Sequence, residues 1–137
     1  MPNDQVDVTA GAPNLENYTD NKDGTVTDNL TGLMWQQAVP AIAYTWAQAV
    51  AHCPKLTLAG HSDWRLPSRI ELVSIVDLGR IEPSINSTYF PSTPALGEFW
   101  SSSLMAFSSG IAWYVSFGNG NALNYQVDGP DYVRCVR

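Results

Sequence analysis

The stretch Leu58-Ala-Gly-His-Ser-Asp-Trp-Arg-Leu-Pro-Ser-Arg-Ile-Glu-Leu72 leaves its backbone little choice. Pro67 disfavours helix in the residue before it. Ser68 then caps the N-terminus of a helix, and Glu71, three residues on, reaches back to complete a capping box. Ala59 to Asp63 reads as a polar turn and Trp64-Arg65-Leu66 as a brief extended segment. The helix is expected to run to about Leu78, burying Ile70, Leu72, Val73 and Val76, with Gly79 stopping it. A second box, Thr45 with Gln48, opens an earlier helix. There Trp46, Ala49, Val50 and Cys53 share one inward face, and Pro54 ends the run.

The remainder reads as short strands. Tyr18 to Asp28 is strand, turn and strand, with hairpin chemistry in Asn21-Lys22-Asp23-Gly24 and β-branched Thr25-Val26-Thr27. Leu33 to Gln36 forms another short strand. Residues 80–98 are irregular and rich in Ser, Pro and Asn, the composition of a functional or Ω-type loop. Phe99 to Ser103 is extended. In Ala112 to Phe117 the alternation puts Trp113, Val115 and Phe117 on one face and Tyr114 and Ser116 on the other. Gly118 to Asn121 turns, Ala122 to Val127 returns, and Tyr132 to Arg137 is expected to close the fold as a strand. Residues 1–15 show neither helical nor strand period and read as a flexible tail, leaving a domain over 16–137.

Length and composition describe one globular domain: 137 residues, 45% hydrophobic and only 15% charged. No apolar run approaches the roughly 20 residues that span a bilayer, so membrane insertion is not expected. The net charge is −6, and no Lys or Arg lies between Arg80 and Arg134. Nucleic acid and other polyanions need clustered cations, so no nucleic-acid partner is expected, other polyanions are disfavoured, and weak heparin affinity is expected. The opening Met-Pro-Asn-Asp-Gln-Val lacks the regions of a signal peptide, so export would rely on a trimmed signal or a longer parent.

Cys53 and Cys135 are the only cysteines. With His52 and His61 they lack zinc-ligand spacing. A disulfide closing 82 residues suits them better, and chain entropy makes such a bridge worth about 4–5 kcal/mol. It would imply an oxidising compartment. Two unpaired buried thiols in a cytosolic protein remain the alternative.

Six strings recur in the order of one family: Asp28-Asn-Leu-Thr-Gly-Leu-Met-Trp-Gln36, Thr45-Trp-Ala-Gln-Ala-Val50, Ser62-Asp-Trp-Arg-Leu-Pro-Ser68, Phe99-Trp-Ser-Ser-Ser103, Ala112-Trp-Tyr-Val115 and Tyr132-Val-Arg-Cys-Val-Arg137. From about Tyr18 onward the chain resembles the bacterial family typified by the C-terminal domain of the Legionella collagen-like adhesin. The resemblance implies an α+β, C-type-lectin-like fold: two short helices on a small, mostly antiparallel sheet. It also implies a disulfide from the first helix to the last strand, mapping onto Cys53 and Cys135. Export to the periplasm, cell surface or exterior follows, with a role in carbohydrate binding or adhesion. Display of a protein ligand, or an oligomerising cap on a larger surface protein, is the alternative role, and a homo-oligomer fits it.

Several residues invite catalytic or metal readings. His61, Ser62 and Asp63 are the types found in a hydrolytic triad, but a triad converges from separate parts of a fold. As neighbours in one turn they read as turn and capping groups, so no catalytic residue and no enzyme activity is assigned. Asp20 to Gly24 has part of a calcium loop, yet counting from Thr19 places Leu30 where the ligating Glu belongs. Glu82-Pro83-Ser84 lacks the amide of a calcium-dependent sugar site, and no Trp-Asn-Asp run occurs. No metal or cofactor is therefore expected. The better ligand surface is Gly118 to Tyr132, where Asn119, Asn121, Asn124, Tyr125, Gln126, Asp128 and Asp131 offer amides, carboxylates and an aromatic ring. Such groups bond sugar hydroxyls and stack on a sugar's apolar face.

Overall fold

The computed structural model describes residues 16–137; the expected tail over 1–15 lies outside the described residues. Two antiparallel three-stranded sheets replace the single sheet expected from the sequence. The first contains β1 (Tyr18–Asp20), β2 (Thr25–Asp28) and β3 (Met34–Gln36). Its first turn is held by side chains: Asp23 accepts from the Thr25 amide and hydroxyl, and the Asn21 amide donates to Thr25 and Thr27. The residues that suggested a calcium loop are thus used to bend the hairpin. The second sheet contains β4 (Glu98–Leu104), β5 (Ile111–Ser116) and β6 (Ala122–Gln126).

Both capping boxes form. Thr45 opens α1 (Trp46–His52), which passes into a 3-10 turn over Cys53–Lys55, and Ser68 opens α2 (Arg69–Val73). Their inward faces differ from the expected ones. On α1, Ala49 and Cys53 are buried, Trp46 is half-buried and Val50 is exposed. The regular part of α2 stops at Val73, not near Leu78, where the Ser74 hydroxyl bonds back to the Glu71 carbonyl. Ile70 and Val73 face outward, while Leu72, Ile75 and Val76 are buried. Ile75 and Val76 continue as overlapping turns, donating to the Leu72 and Val73 carbonyls. Tighter winding there moves the buried stripe off the phase of an extended helix.

The β4–β5–β6 sheet separates two apolar clusters. Phe99, Val115 and Phe117 join Val26, Trp35, Leu72, Ile75, Ile85, Phe90 and Val136 on one side. Trp100, Ala112 and Tyr114 join Ala49, Cys53, Trp64, Leu66, Val133 and Cys135 on the other. Burial on both faces explains why the alternation in β5 fails as a guide: Tyr114 is buried and Trp113 only half so. The loop over 80–98 is packed down by Ile85 and Phe90, and Ser84 and Glu82 donate backbone bonds to Phe117 and Gly118.

Residues Tyr132 to Arg137 form no regular strand. They thread between the sheets, exchanging backbone bonds with Glu98 and Trp100 at one end and with Met34, Gln36 and Arg65 at the other. Side chains along this segment alternate between clusters, Val133 and Cys135 to one and Val136 to the other. The expected disulfide is present: Cys53 and Cys135 are bonded with Cα atoms 5.6 Å apart. It ties the end of α1 to the segment that joins the sheets.

Residues Leu58 to Leu72 meet that same segment. A tight turn at Ala59-Gly60, both at positive φ, brings Leu58 and His61 into mutual backbone bonding. Trp64 lies 2% exposed, and its indole N–H donates to the His61 carbonyl at 3.1 Å. Arg65 grips Glu71 through two bonds of 2.7 and 2.8 Å. That pairing, with the Ser68 amide, holds the Glu71 carboxyl below its ordinary range.

Candidate functional site

The β5–β6 hairpin carries most of the residues singled out as ligand-binding, and its register decides which of them work together. Directly opposed residues in an antiparallel pair share a face. Trp113 opposes Asn124 and Ile111 opposes Gln126, so Asn124 and Gln126 stand beside Trp113. Ala112 opposes Tyr125 and Tyr114 opposes Leu123, which puts Tyr125 on the other face. The hairpin therefore offers two polar surfaces instead of one.

On the first, the Arg69 guanidinium lies 4.3 Å from the centroid of the Trp113 ring. Asn124 and Gln126 are exposed beside them. Arg69 comes from α2, so the helix launched by Pro67 and Ser68 supplies a cation to this edge of the hairpin. Neither Arg69 nor Trp113 was singled out from the sequence as a ligand residue. The alternation in β5 put Trp113 on one face with Val115, as the register does, but Trp113 is only half-buried where Val115 is fully buried.

On the second, Tyr125 is 44% exposed and held from behind. Its ring stacks toward Trp100 and meets Tyr114 edge-on, with both centroids 6.3 Å away. Gly129 lies directly beneath it: a Cβ at that position would fall 1.9 Å from the Tyr125 ring. A glycine is required there so that the ring can seat. The result is an aromatic platform fixed in place before any ligand arrives.

The remaining candidates divide. In the turn, Asn119 accepts from the Asn121 amide at 3.0 Å and so shapes the bend, while the Asn121 side chain stays exposed. Asp128 is exposed in the turn after β6. Asp131 differs from the other candidates in being buried, only 3% exposed. Its backbone pairs with Tyr44 on both sides, at 2.8 and 3.0 Å, which draws the side chain inward. Burial first, and the neighbouring Glu98 carboxyl second, push its pKa up to about 7. Tyr114, next to the same pair, is raised as well, again chiefly by burial.

The trio in the Ala59–Asp63 turn does not converge on a reaction centre. Ser62 is exposed, and Asp63 pairs with Arg137, whose Nη2 lies 3.1 Å from Oδ2. That contact lowers the Asp63 carboxyl and pins Arg137 to the turn. Among the described residues, no three His, Cys, Asp or Glu side chains gather in position to hold a metal ion. No helix among them is long and apolar enough to cross a membrane.

These features define a disulfide-closed α+β domain whose most elaborated surface is a hairpin bearing aromatic rings and amides. The chain belongs to the Lcl C-terminal domain family, whose model matches residues 24–137. That family takes its name from the C-terminal domain of a collagen-like adhesin and has no known catalytic role. The disulfide is consistent with an extracytoplasmic protein. No curated protein matches the chain.

Proposed function

We propose that this domain is a non-catalytic, secreted or surface-displayed adhesion module with a lectin-like fold that binds carbohydrate through its β5–β6 hairpin. The observation that carries the reading is the Tyr125 platform. The ring is half-exposed, backed by Trp100 and seated on Gly129, so it is ordered without a ligand. A preorganised aromatic loses little entropy on binding, and its apolar face matches the C–H face of a pyranose. Asn121 and Asp128 stand exposed on the adjoining turns to bond hydroxyls, and Asn124 and Gln126 extend the polar surface around the strand's other face.

A second reading, an oligomerising cap or protein-display scaffold, draws on the apolar side chains around the same sheet. By register Leu104 and Leu123 lie on the Tyr125 face, at 41% and 43% exposure, and Phe107 stands fully out at the β4–β5 turn. Exposed apolar groups gathered at one edge mark a protein contact.

A glycan array combined with light scattering separates the two. Array binding by a monomer, lost in Tyr125→Ala, supports the adhesion reading. A stable oligomer with no array binding supports the cap and overturns the first.

A further inference from the structure

A cleft of about 490 Å3 lies beside α1, lined by Ile42, Tyr44, Gln48, His52 and Lys55. Its size falls within the range of small-ligand sites, roughly 300–1,000 Å3. It lies outside the hairpin, and the adhesion reading does not use it.

Its walls divide by chemistry. The Tyr44 and His52 rings stack 4.9 Å apart at 29°, making a double aromatic wall. Tyr44 is anchored from behind: its backbone pairs with Asp131, and its carbonyl also accepts from the Trp100 indole at 2.8 Å. Ile42, 54% exposed, adds an apolar lip. Gln48 spends its side-chain oxygen on the Thr45 capping box, which leaves its amide N–H groups to donate outward.

The charge is the distinguishing feature. Lys22, Arg65, Arg80 and Arg137 are each ion-paired, Arg69 sits on Trp113 and Arg134 is buried. Among the described residues, Lys55 alone of the Lys and Arg side chains has neither a carboxylate nor a ring as partner. In a chain of net charge −6, Lys55, the one uncommitted Lys or Arg side chain among the described residues, stands at a cleft with stacked rings and a free amide donor.

We propose that this cleft is a binding site for a pyranose bearing a single carboxylate, a uronic acid. The ring would lie against Tyr44 and His52, the carboxylate would meet the Lys55 ammonium, and Gln48 would donate to a hydroxyl. One point charge, without an arginine fork or a second fixed cation, suits one carboxylate and not a sulfated polymer.

The test is a titration of the nitrogen-15-labelled domain with unesterified methyl galacturonide, ionised at neutral pH, followed by NMR. Methyl galactoside serves as the neutral comparison and heparin as the sulfated one. The expected result is saturable shifts over residues 42–55 with the acid, weaker binding of the neutral sugar and no preference for heparin. Lys55→Gln should weaken the acid about tenfold or more, the size of one charge-assisted bond. His52→Ala, which removes a ring outside the core, should also weaken it. Tyr125→Ala should leave it unchanged, so failure of the hairpin reading and failure of this one are told apart. Absence of shifts over 42–55, equal affinity for the neutral sugar, tighter binding of heparin there, or unaltered affinity in Lys55→Gln would each overturn the proposal.

Discussion

The guanidinium of Arg134 lies 4.9 Å from the centroid of the Phe90 ring, and no solvent reaches it. Phe99 is also beneath it, at 5.6 Å. One terminal nitrogen donates to the Gln36 and Gln37 carbonyls at 2.6 and 2.7 Å, and the other to the Thr93 hydroxyl at 2.8 Å. No carboxylate answers the charge among the described residues. Carbonyl dipoles and two ring faces stabilise it instead. Burial lowers its pKa to about 9, which still leaves it charged at neutral pH. This one side chain joins β3, the loop over 80–98 and β4 to the segment that links the sheets.

Arg134→Ala should therefore destabilise the domain by about 3–5 kcal/mol, since it strips partners from buried carbonyls and leaves a void. Arg134→Lys should recover little, because an ammonium cannot reproduce the planar fork. Urea unfolding of the three proteins checks both expectations.

Trp64 and His61 provide a contrast within one turn. Trp64→Ala empties a buried indole site and should cost about 3–5 kcal/mol. His61→Ala keeps the backbone carbonyl that receives the indole bond, so it should cost about 0.5 kcal/mol or less and leave ligand binding intact. Thermal unfolding of both variants decides whether Leu58 to Leu72 is a structural hub.

Reduction of the Cys53–Cys135 bridge should lower stability by about 4–5 kcal/mol if its main effect is on the unfolded chain. A paired Cys53→Ser and Cys135→Ser variant, unfolded beside the oxidised protein, measures that cost. A loss under about 1 kcal/mol would show that packing around α1 already supplies the constraint.

Asp131 makes stability depend on pH with a definite sign. Its folded pKa of about 7 lies above the ordinary value of 3.8, so the folded state holds the proton more tightly. That stabilisation is full below the unfolded value and is lost as pH rises through about 7. Glu16, raised chiefly by burial, acts in the same direction. The melting temperature should thus climb as pH falls from 8 to 5. Asp131→Asn should flatten that climb, and a melting temperature independent of pH in the parent would contradict it.

The parts legible in the sequence were those decided within a few residues. Thr45 with Gln48 and Ser68 with Glu71 make their capping bonds inside one helical turn, and the Asn21-to-Gly24 bend closes on its own side chains. The parts that were not depend on distant partners. Ile70 and Ile75 are the same residue type five positions apart, yet one is 77% exposed and the other fully buried. The tightening after Ser74 and the sheet above decide which. Arg134 and Asp131 are charged and would ordinarily be placed outside. Only the segment's path between the sheets buries the first, and only pairing with Tyr44 turns in the second. Within the candidate ligand surface, exposure of Asn121, Asn124, Gln126 and Asp128 followed from turn and strand composition. Their division between two faces required the register of β5 against β6.

The proposed carbohydrate binding depends on the Tyr125 platform, and Gly129 allows that to be tested without deleting the ring. Gly129→Ala places a methyl where the ring now lies, at a φ that an alanine accepts, so Tyr125 must swing away while the core stays intact. The decisive measurement is calorimetric titration of the parent, Gly129→Ala and Tyr125→Ala with the strongest ligand from a glycan array. Both variants should keep the parent's melting temperature within a few degrees and lose about tenfold or more in affinity, the value of one well-seated aromatic contact. Parental affinity in both variants would contradict this expectation.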